Sequence, residues 1–233
     1  MAKGKKVKTP KSTAPKKPTY KYEAKTENQA KYLELIDTKK IIIVTGPPGA
    51  GKSFLALGRA LDLLYTKKQK GGMKRIVLMR PAVEMVGEKL GALPGSMDEK
   101  IAPYMYPLYD NLNQFVDKGV ATKLLEEDKI HAFPLAFVRG CTMRNSFIIV
   151  DEAQNTIPSQ MKSILTRLDD HSKIVINGDL EQTDIRHENG LEDAILRLGG
   201  IDAVGIIHLT EDDIIRSKLI KQIIKAYRKN VPK

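Results

Sequence analysis

The octet Gly46–Ser53 constrains this chain more than any other feature of its sequence. It runs Gly-Pro-Pro-Gly-Ala-Gly-Lys-Ser and fits the pattern G-x-x-x-x-G-K-[ST] of phosphate-binding loops. The apolar run 40–45 before it predicts a buried strand, and residues 53–61 after it predict a helix. A strand, a glycine-rich turn and a helix N-terminus together form a cradle of backbone N–H groups for an anion. The octet therefore predicts a site for a nucleoside triphosphate.

The residue types within the octet have separate expected roles. Lys52 is expected to reach the β- and γ-phosphates, and the Ser53 hydroxyl is expected to hold Mg²⁺. The whole set expected to bind ATP at the loop is Gly46, Pro47, Pro48, Gly49, Ala50, Gly51, Lys52, Ser53 and Phe54.

A second chemical signal follows about a hundred residues later, where the apolar strand 147–150 ends in Asp151 and Glu152. Two acids after one strand are a weak signal alone, but beside a phosphate loop they predict a Walker B element. Asp151 is expected to hold Mg²⁺, directly or through water. Glu152 is expected to orient and polarise the attacking water.

Apolar runs alternate with helical stretches along the rest of the chain. The predicted strands are 40–45, 75–79, 130–133, 146–150, 173–177 and 204–209. Several are continuously apolar, as strands covered on both faces are, so we expect an α/β fold with a mostly parallel sheet flanked by helices. A helix is predicted over 26–37, capped by Thr26 or Asn28. A final helix is predicted to begin at a capping box of Thr210 and Asp213.

Charge and composition divide the chain into a tail and a domain. The net charge is +11, yet residues 1–20 hold seven lysines and 216–233 hold seven basic residues, with no acid in either range. We expect 1–20 to be a disordered basic tail and 21–233 to be one domain. Basic ends suit contact with a polyanion such as nucleic acid, or they only solubilise the chain.

Composition also argues against several kinds of disulfide and metal site. The single cysteine, Cys141, excludes a disulfide framework within the chain and a multi-cysteine zinc site. The four histidines lack the spacing of metal ligands. The chain shows no apolar run of membrane-spanning length and no signal peptide, so we expect a cytoplasmic protein without membrane contact.

Two further segments leave alternatives open. Gln182 follows strand 173–177 through Gly178-Asp179, so it is placed to contact the γ-phosphate or the water; it is otherwise an ordinary turn residue. The range 96–128 carries Tyr104, Tyr106, Tyr109 and Phe115 among lysines. Such aromatics stack on unpaired bases or, more commonly, pack an insertion against the sheet.

Taken together, these motifs resemble the PhoH-like ATPase family over most of residues 27–229. The elements that carry the resemblance are Asn28-Gln29, the loop 46–53, Arg80-Pro81, Leu93-Pro94-Gly95, 107–110, 134–140, 151–155, Leu165-Thr166-Arg167, Gly178-Asp179 with Gln182, Gly190-Leu191, and 213–216. The family is similar to the first motor domain of superfamily 1 helicases. The resemblance therefore implies a RecA-like P-loop NTPase domain.

The resemblance also implies roles that spacing alone does not. It makes Gln29 a reader of the adenine and Gln182 a sensor of the γ-phosphate. It places Arg80 and the Arg139/Arg144 region near nucleic acid or a subunit boundary. The chain departs from the family pattern at Ala92, where Phe is common, and at Cys141, where Arg is common, which weakens any role tied to these two positions.

Arg216 is the expected source of a catalytic arginine. Such an arginine stabilises charge on the transferring phosphoryl group and is worth roughly 10³–10⁵ in rate. Two-domain helicases supply it from their second motor domain, for which this chain is too short, so we expect a neighbouring subunit to supply it. The alternative is an exposed helix arginine.

The expected function is a Mg²⁺-dependent ATPase that forms a homo-oligomeric ring, a hexamer, and acts on single-stranded nucleic acid, RNA in preference to DNA. Helicase activity stays open. One alternative is an ATP-gated binding module that remodels a partner without motor activity. Another is a small-molecule kinase, which would need an acceptor base and an arginine-rich lid. A nuclease ranks lower, since the sequence shows no second free acidic cluster.

Overall fold

The computed structural model of the protein describes residues 21–66, 73–81, 97–138, 143–184, 188–215 and 219 and, for 97–101, the backbone alone. Several predictions concern residues outside these ranges: the tail 1–20, Ala92 and the element 93–95, Arg139, Cys141, one of the four histidines (His187), Arg216 and most of the final helix.

Six strands form one sheet in which every neighbouring pair is parallel. Their order across the sheet is β3-β2-β4-β5-β1-β6. Their bounds are β1 (Ile41–Thr45), β2 (Arg75–Arg80), β3 (Ile130–Pro134), β4 (Ser146–Val150), β5 (Lys173–Gly178) and β6 (Val204–His208). All six predicted strands are confirmed, each to within one residue at either end.

Helices cover both faces of this sheet. They are α1 (Glu27–Thr38), α2 (Lys52–Tyr65), α3 (Met97–Asn113), α4 (Lys118–Glu126), α5 (Pro158–Leu165) and α6 (Gly190–Leu198). Side chains alternate along β4, so Phe147 and Ile149 join a core beneath α1 to α4, and Ile148 and Val150 join a core beneath α5 and α6. This burial on both faces explains the continuous apolar runs. The RecA-like α/β prediction is confirmed.

Helix α1 begins where the sequence predicts. The Thr26 hydroxyl accepts a hydrogen bond from Gln29 N at 3.2 Å, so Thr26 is the N-cap. Asn28 instead donates its side-chain amide to Asp213 Oδ2 at 3.0 Å. Of the two candidate caps, Thr26 is therefore the one that the structure shows, and Asn28 lies within the first turn of the helix.

The predicted start of the final helix is wrong. Thr210 and Asp213 do form the capping box, but it opens only a short 3-10 turn over Glu211–Asp213, after which Ile214 is extended. Gln29 Nε2 donates to the Asp213 carbonyl, and Ile215 N donates to Gly49 O at 3.1 Å. Contacts with α1 and the phosphate loop thus occupy the backbone groups that a continuing helix would pair.

The aromatic segment 96–128 packs against the sheet. Phe115 is 1% exposed and belongs to the first core, and Tyr104 and Tyr109 pack against it half-buried. Tyr106 is 60% exposed. Packing therefore explains three of the four aromatics. None of the helices within the described ranges has the length and apolar character needed to cross a membrane.

Strand order positions the site. Because β4, β5 and β1 are adjacent and parallel, the loops that follow them leave the same edge of the sheet. The phosphate loop, the Asp151-Glu152 pair and the Asp179–Gln182 turn meet there, at the carboxyl ends of the strands where open α/β sheets bind ligands.

Candidate functional site

The phosphate loop has the backbone that its glycines allow. Gly46, Gly49 and Gly51 have φ angles of 146°, 84° and 90°, in the region that favours glycine. A Cβ on Gly46 would lie 2.3 Å from the Leu209 carbonyl oxygen. Gly51 is the N-cap of α2 and has no side chain to cap it, so the first-turn N–H groups of α2 are suited to an anion.

Lys52 lies at the floor of this cradle. Its Nζ donates to Gly46 O at 2.5 Å and to Pro47 O at 3.0 Å. Burial lowers the pKa of the Lys52 ammonium, although the carboxylates of Asp179, Asp151 and Glu152 oppose that shift. A partly desolvated cation interacts more strongly with phosphate than a fully hydrated one does.

The two predicted metal ligands are in direct contact. Ser53 Oγ donates to Asp151 Oδ1 at 2.6 Å, and Asp151 is buried. Hydroxyl and carboxylate oxygens are the ligand types that Mg²⁺ takes, completed by water and nucleotide phosphates. Groups of three or more His, Cys, Asp or Glu side chains suited to a metal are absent from the described residues. A two-ligand site that shares its metal with a bound nucleotide fits this arrangement.

Two residues that the sequence analysis missed support this pair. Asn177 Nδ2 donates to Ser53 Oγ at 3.3 Å. The buried Tyr32 hydroxyl lies 3.2 Å from Lys52 O and 3.3 Å from Asn177 Oδ1, either of which can accept its proton. Burial, followed by the Asp151 charge, raises the Tyr32 pKa well above its usual value. Of these two residues, only Asn177 had a signal in the sequence, because it is a polar residue near the end of an apolar strand.

Glu152 adopts a left-handed backbone conformation, with φ 54°. That conformation costs a non-glycine residue roughly 1–3 kcal/mol and is found where the surroundings enforce it. Its carboxylate accepts from Gln154 Nε2 at 2.6 Å and lies 3.7 Å from Arg80 Nη2. Arg80, expected near nucleic acid or a subunit boundary, is thus at the carboxylate expected to act on the water.

The turn after β5 brings Asp179 and Gln182 to the same place. Asp179 is 6% exposed; its Oδ1 accepts from Glu181 N at 3.0 Å, and its Oδ2 has no hydrogen-bond partner among the described residues. Gln182 N donates to Asp179 O at 3.1 Å. The Gln182 side chain is exposed and lines the cavity described below.

Gln29 is buried, with its amide engaged on both sides. Nε2 donates to Ala50 O at 2.9 Å and to Asp213 O at 3.1 Å, and Oε1 accepts from Lys25 N at 2.8 Å. Both donor hydrogens are therefore in use. Gln29 ties the phosphate loop to the segment that leads to Arg216, a residue outside the described ranges.

These elements enclose a cavity of about 520 Å³, within the range of ligand pockets. The predicted residues that line it are Gln29, Pro48, Gly49, Gly51, Lys52, Ser53, Phe54, Asp151, Glu152 and Gln182. Gly46 and Pro47 border a smaller neighbouring cavity of about 300 Å³. Ala50 is fully buried beneath the loop.

Comparison with known families decides the assignment. The family model described as PhoH-like protein matches residues 21–228. The chain belongs to the PhoH-like protein family. The resemblance of its motifs is thereby confirmed, and family and phosphate loop together place the chain among the P-loop NTPases.

Curated members of the PhoH-like family share much of this sequence. The chain is 44% identical over 205 residues to a PhoH-like protein of Mycobacterium tuberculosis (strain ATCC 25618 / H37Rv), covering 87% of this chain and 57% of that protein. It is 41% identical over 209 residues to a PhoH-like protein of Synechocystis, covering 89% and 62%. Protein PhoH of Escherichia coli (strain K12) is 36% identical over 208 residues, with 88% and 57% covered. The chain thus spans less than two thirds of these relatives.

Solved structures show weaker similarity. The large terminase of a thermophilic bacteriophage has a TM-score of 0.48 and 16% identity, covering 88% of this chain and 50% of that chain. The Pif1 helicase of Candida albicans has a TM-score of 0.46 and 17% identity, covering 89% and 44%. No activity or substrate follows from similarity at this level.

Proposed function

We propose that this protein binds ATP with Mg²⁺ and hydrolyses it by attack of water on the γ-phosphate. The observation that carries the proposal is the Ser53–Asp151 contact of 2.6 Å in a cavity also lined by Lys52, Glu152 and Gln182. A phosphate cradle, a hard-metal ligand pair and a carboxylate for the water are the parts that such a reaction requires.

Binding begins with the phosphates. The N–H groups of the loop and of the first turn of α2 take the phosphate oxygens, and Lys52 exchanges its carbonyl partners for the β- and γ-phosphates. The adenine lies toward Phe54 and Gln29. Because both Nε2 hydrogens of Gln29 already have acceptors, donation from Gln29 to an adenine ring nitrogen requires one of those bonds to be exchanged. Its Oε1 accepts from Lys25 N and has a second lone pair with which to accept from the adenine amino group.

Ser53 and Asp151 would hold Mg²⁺, which would supply charge that offsets the charge on the phosphate oxygens. Glu152 accepts the proton of the attacking water at its carboxylate. The water oxygen forms a bond to the γ-phosphorus as the bond to the β,γ-bridging oxygen breaks, which gives ADP and phosphate. Lys52 offsets the charge that develops, and Gln182 contacts the γ-phosphate.

The test is steady-state phosphate release by wild type, Lys52→Ala and Glu152→Gln. We expect both variants to lose at least about 100-fold in rate, with Glu152→Gln still binding ATP. The exposed Lys162→Ala and Glu192→Gln are matched controls and should keep wild-type rates. Equal rates for Lys52→Ala and wild type would refute the proposal. A phosphorylated small molecule in place of free phosphate would favour a kinase.

We further propose that the protein acts as a homo-hexameric ring on single-stranded nucleic acid, RNA in preference to DNA, with Arg216 completing a neighbour's site. The basic ranges 1–20 and 216–233 support the choice of a polyanion. Arg216→Ala should lose phosphate release but keep ATP binding, and mixing it with Glu152→Gln subunits should restore activity. Full activity of Arg216→Ala would refute the shared site and favour an ATP-gated module.

A further inference from the structure

Gln154 joins the two loops on which the proposed reaction depends. Its side chain is 1% exposed. Nε2 donates to Glu152 Oε2 at 2.6 Å, and Oε1 accepts from Asp179 N at 3.0 Å. One buried amide thus connects the carboxylate expected to act on the water with the turn that carries Gln182.

The two partners determine the orientation of this amide. A carboxylate accepts only from the nitrogen end, and a backbone N–H donates only to the oxygen end. Rotating the amide by 180° would break both bonds and leave buried polar groups unpaired, at roughly 1–3 kcal/mol each. Gln154 is therefore held in one orientation, and so is the Glu152 oxygen that it contacts.

Neighbouring residues make room for this link. A Cβ on Gly178 would lie 2.3 Å from Leu191 Cδ2 and 3.0 Å from Gln154 Oε1. The absence of a side chain at Gly178 lets the Gln154 amide approach the backbone of the turn.

Arg80 also contacts the Glu152 carboxylate, but its Nη2 lies 3.7 Å from Oε1, which is longer than a hydrogen bond.

The side chain of the next residue makes a matching link that does not involve the Glu152 carboxylate. Asn155 Nδ2 donates to Asp184 Oδ2 at 3.2 Å, and Asn155 Oδ1 accepts from Asp184 N at 2.9 Å. Asn155 thus also connects the loop after β4 to the segment after β5, through the same pair of group types. It serves as a control for effects of loop anchoring alone.

We propose that Gln154 is a positioning residue that aims the Glu152 carboxylate and couples it to the Asp179–Gln182 turn. The proposal rests on the proposed ATP hydrolysis. Contact of Gln182 with the γ-phosphate orders the turn. The hydrogen bonds of Gln154 to Asp179 N and to the Glu152 carboxylate then restrict the position of Glu152 as well. A bound triphosphate thus strengthens the hold that Gln154 already has on the carboxylate.

A double-mutant cycle tests this role. Gln154→Met keeps the length of the side chain and removes both bonds, and it should lower kcat about 10–100-fold with the KM for ATP within about threefold of wild type. In a Glu152→Gln background, the same change should alter the residual rate by less than about threefold. Asn155→Leu should lower the rate of ATP hydrolysis by the same factor in the wild-type and Glu152→Gln backgrounds. If Gln154→Met also lowers the rate by the same factor in both backgrounds, the positioning role is refuted.

Amide hydrogen exchange at single residues tests the link without ATP turnover. Gln154→Met should speed exchange at the Asp179 amide about tenfold, and Asn155→Leu should do so at Asp184 instead. If the Met variant does not melt cooperatively, Gln154→Asn replaces it in both tests. The Asn side chain is one methylene shorter, so its amide does not reach both partners. Unchanged exchange at Asp179 would refute the link.

The kinetic outcomes separate the two proposals. If wild type releases no more phosphate than Lys52→Ala, the proposed function fails and the role of Gln154 fails with it. If wild type hydrolyses ATP and Gln154→Met keeps wild-type kcat, the role of Gln154 alone fails.

Discussion

Four buried polar side chains at or beside the site each engage more than one partner. Gln29, Gln154, Asn177 and Asp213 are all less than 2% exposed, and each contacts groups far away in the sequence. In a low-dielectric interior, a buried polar group that loses its partner costs more than the hydrogen bond itself contributed. Single substitutions at these residues should therefore have large effects that neighbouring exposed residues do not share.

Asp213 is the most highly connected of these residues. Its carboxylate accepts from Thr26 Oγ1, from Asn28 Nδ2 at 3.0 Å and from Thr210 N at 2.7 Å. Burial raises the pKa of Asp213, but these hydrogen bonds outweigh it, and the pKa lies below its usual range. A carboxyl group with a depressed folded-state pKa stabilises the protein above its unfolded pKa, and the stabilisation is lost as pH falls through the folded value.

We predict that Asp213→Asn lowers the free energy of unfolding by about 1.5–3 kcal/mol at pH 7, because charged hydrogen bonds are lost. The difference from wild type should shrink as pH falls below about 4, where the unfolded carboxyl is protonated. Urea unfolding at several pH values measures it. Asp212→Asn, an equal charge change on an exposed neighbour, should stay within about 0.5 kcal/mol of wild type. A difference in unfolding free energy between wild type and Asp213→Asn that does not depend on pH would contradict the lowered pKa of Asp213.

At the scale of elements, the segment 21–25 packs on α2 and lines the cavity. Tyr22 OH donates to Asp62 Oδ2 at 2.8 Å, and burial together with that carboxylate raises the Tyr22 pKa to about 12. The ring lies against Gly58, where a Cβ would be 2.5 Å from Tyr22 Cγ. Since Lys21, Glu23 and Lys25 belong to the cavity wall, this helix contact helps shape the cavity.

We predict opposite effects of Ala at two helical glycines. Ala is the better helix former by about 1 kcal/mol, and Gly119 in α4 has no neighbour within 4 Å of an added Cβ, so Gly119→Ala should stabilise the protein by up to that amount. Gly58→Ala gains the same propensity but displaces Tyr22, so it should destabilise by at least about 1 kcal/mol. Thermal melting of both variants measures this. Stabilisation by Gly58→Ala would show that Tyr22 does not pack there.

At the scale of the whole molecule, charge is concentrated at the two ends of the chain. With seven basic residues in each of the ranges 1–20 and 216–233, the stretch between them has 25 basic and 28 acidic residues. The ends rather than the domain centre therefore carry the electrostatic attraction to a polyanion that the proposed nucleic-acid partner requires.

We predict that replacing the seven lysines of residues 1–20 by Gln weakens binding of single-stranded RNA and makes the slope of log K against log salt less negative by up to about 5. Replacement by Arg keeps the charge and should keep the slope. Fluorescence anisotropy over a salt series measures both. An unchanged slope in the Gln variant would place the contacts elsewhere in the chain.

Much of the fold was predictable because its signals are local. A continuous apolar run bounded by polar residues identifies a doubly covered strand such as β4 without knowledge of its neighbours. The phosphate loop is predictable for the same reason, since Gly46, Gly51 and Lys52 all lie within one short turn. The capping box at Thr210 and Asp213 was also correct, but the helix expected after it does not follow, because Gln29 and Gly49 pair with that backbone.

The sequence alone determined the chemistry available at the site: a phosphate cradle, an acid pair after β4 and a glutamine after β5. The tertiary structure alone decided how these groups are connected. Strand order brings β4, β5 and β1 side by side. Only then do Ser53 and Asp151, 98 residues apart, share a hydrogen bond, and only then does Gln154 link Glu152 to Asp179. Such contacts depend on packing between distant segments, and local sequence patterns carry no information about them.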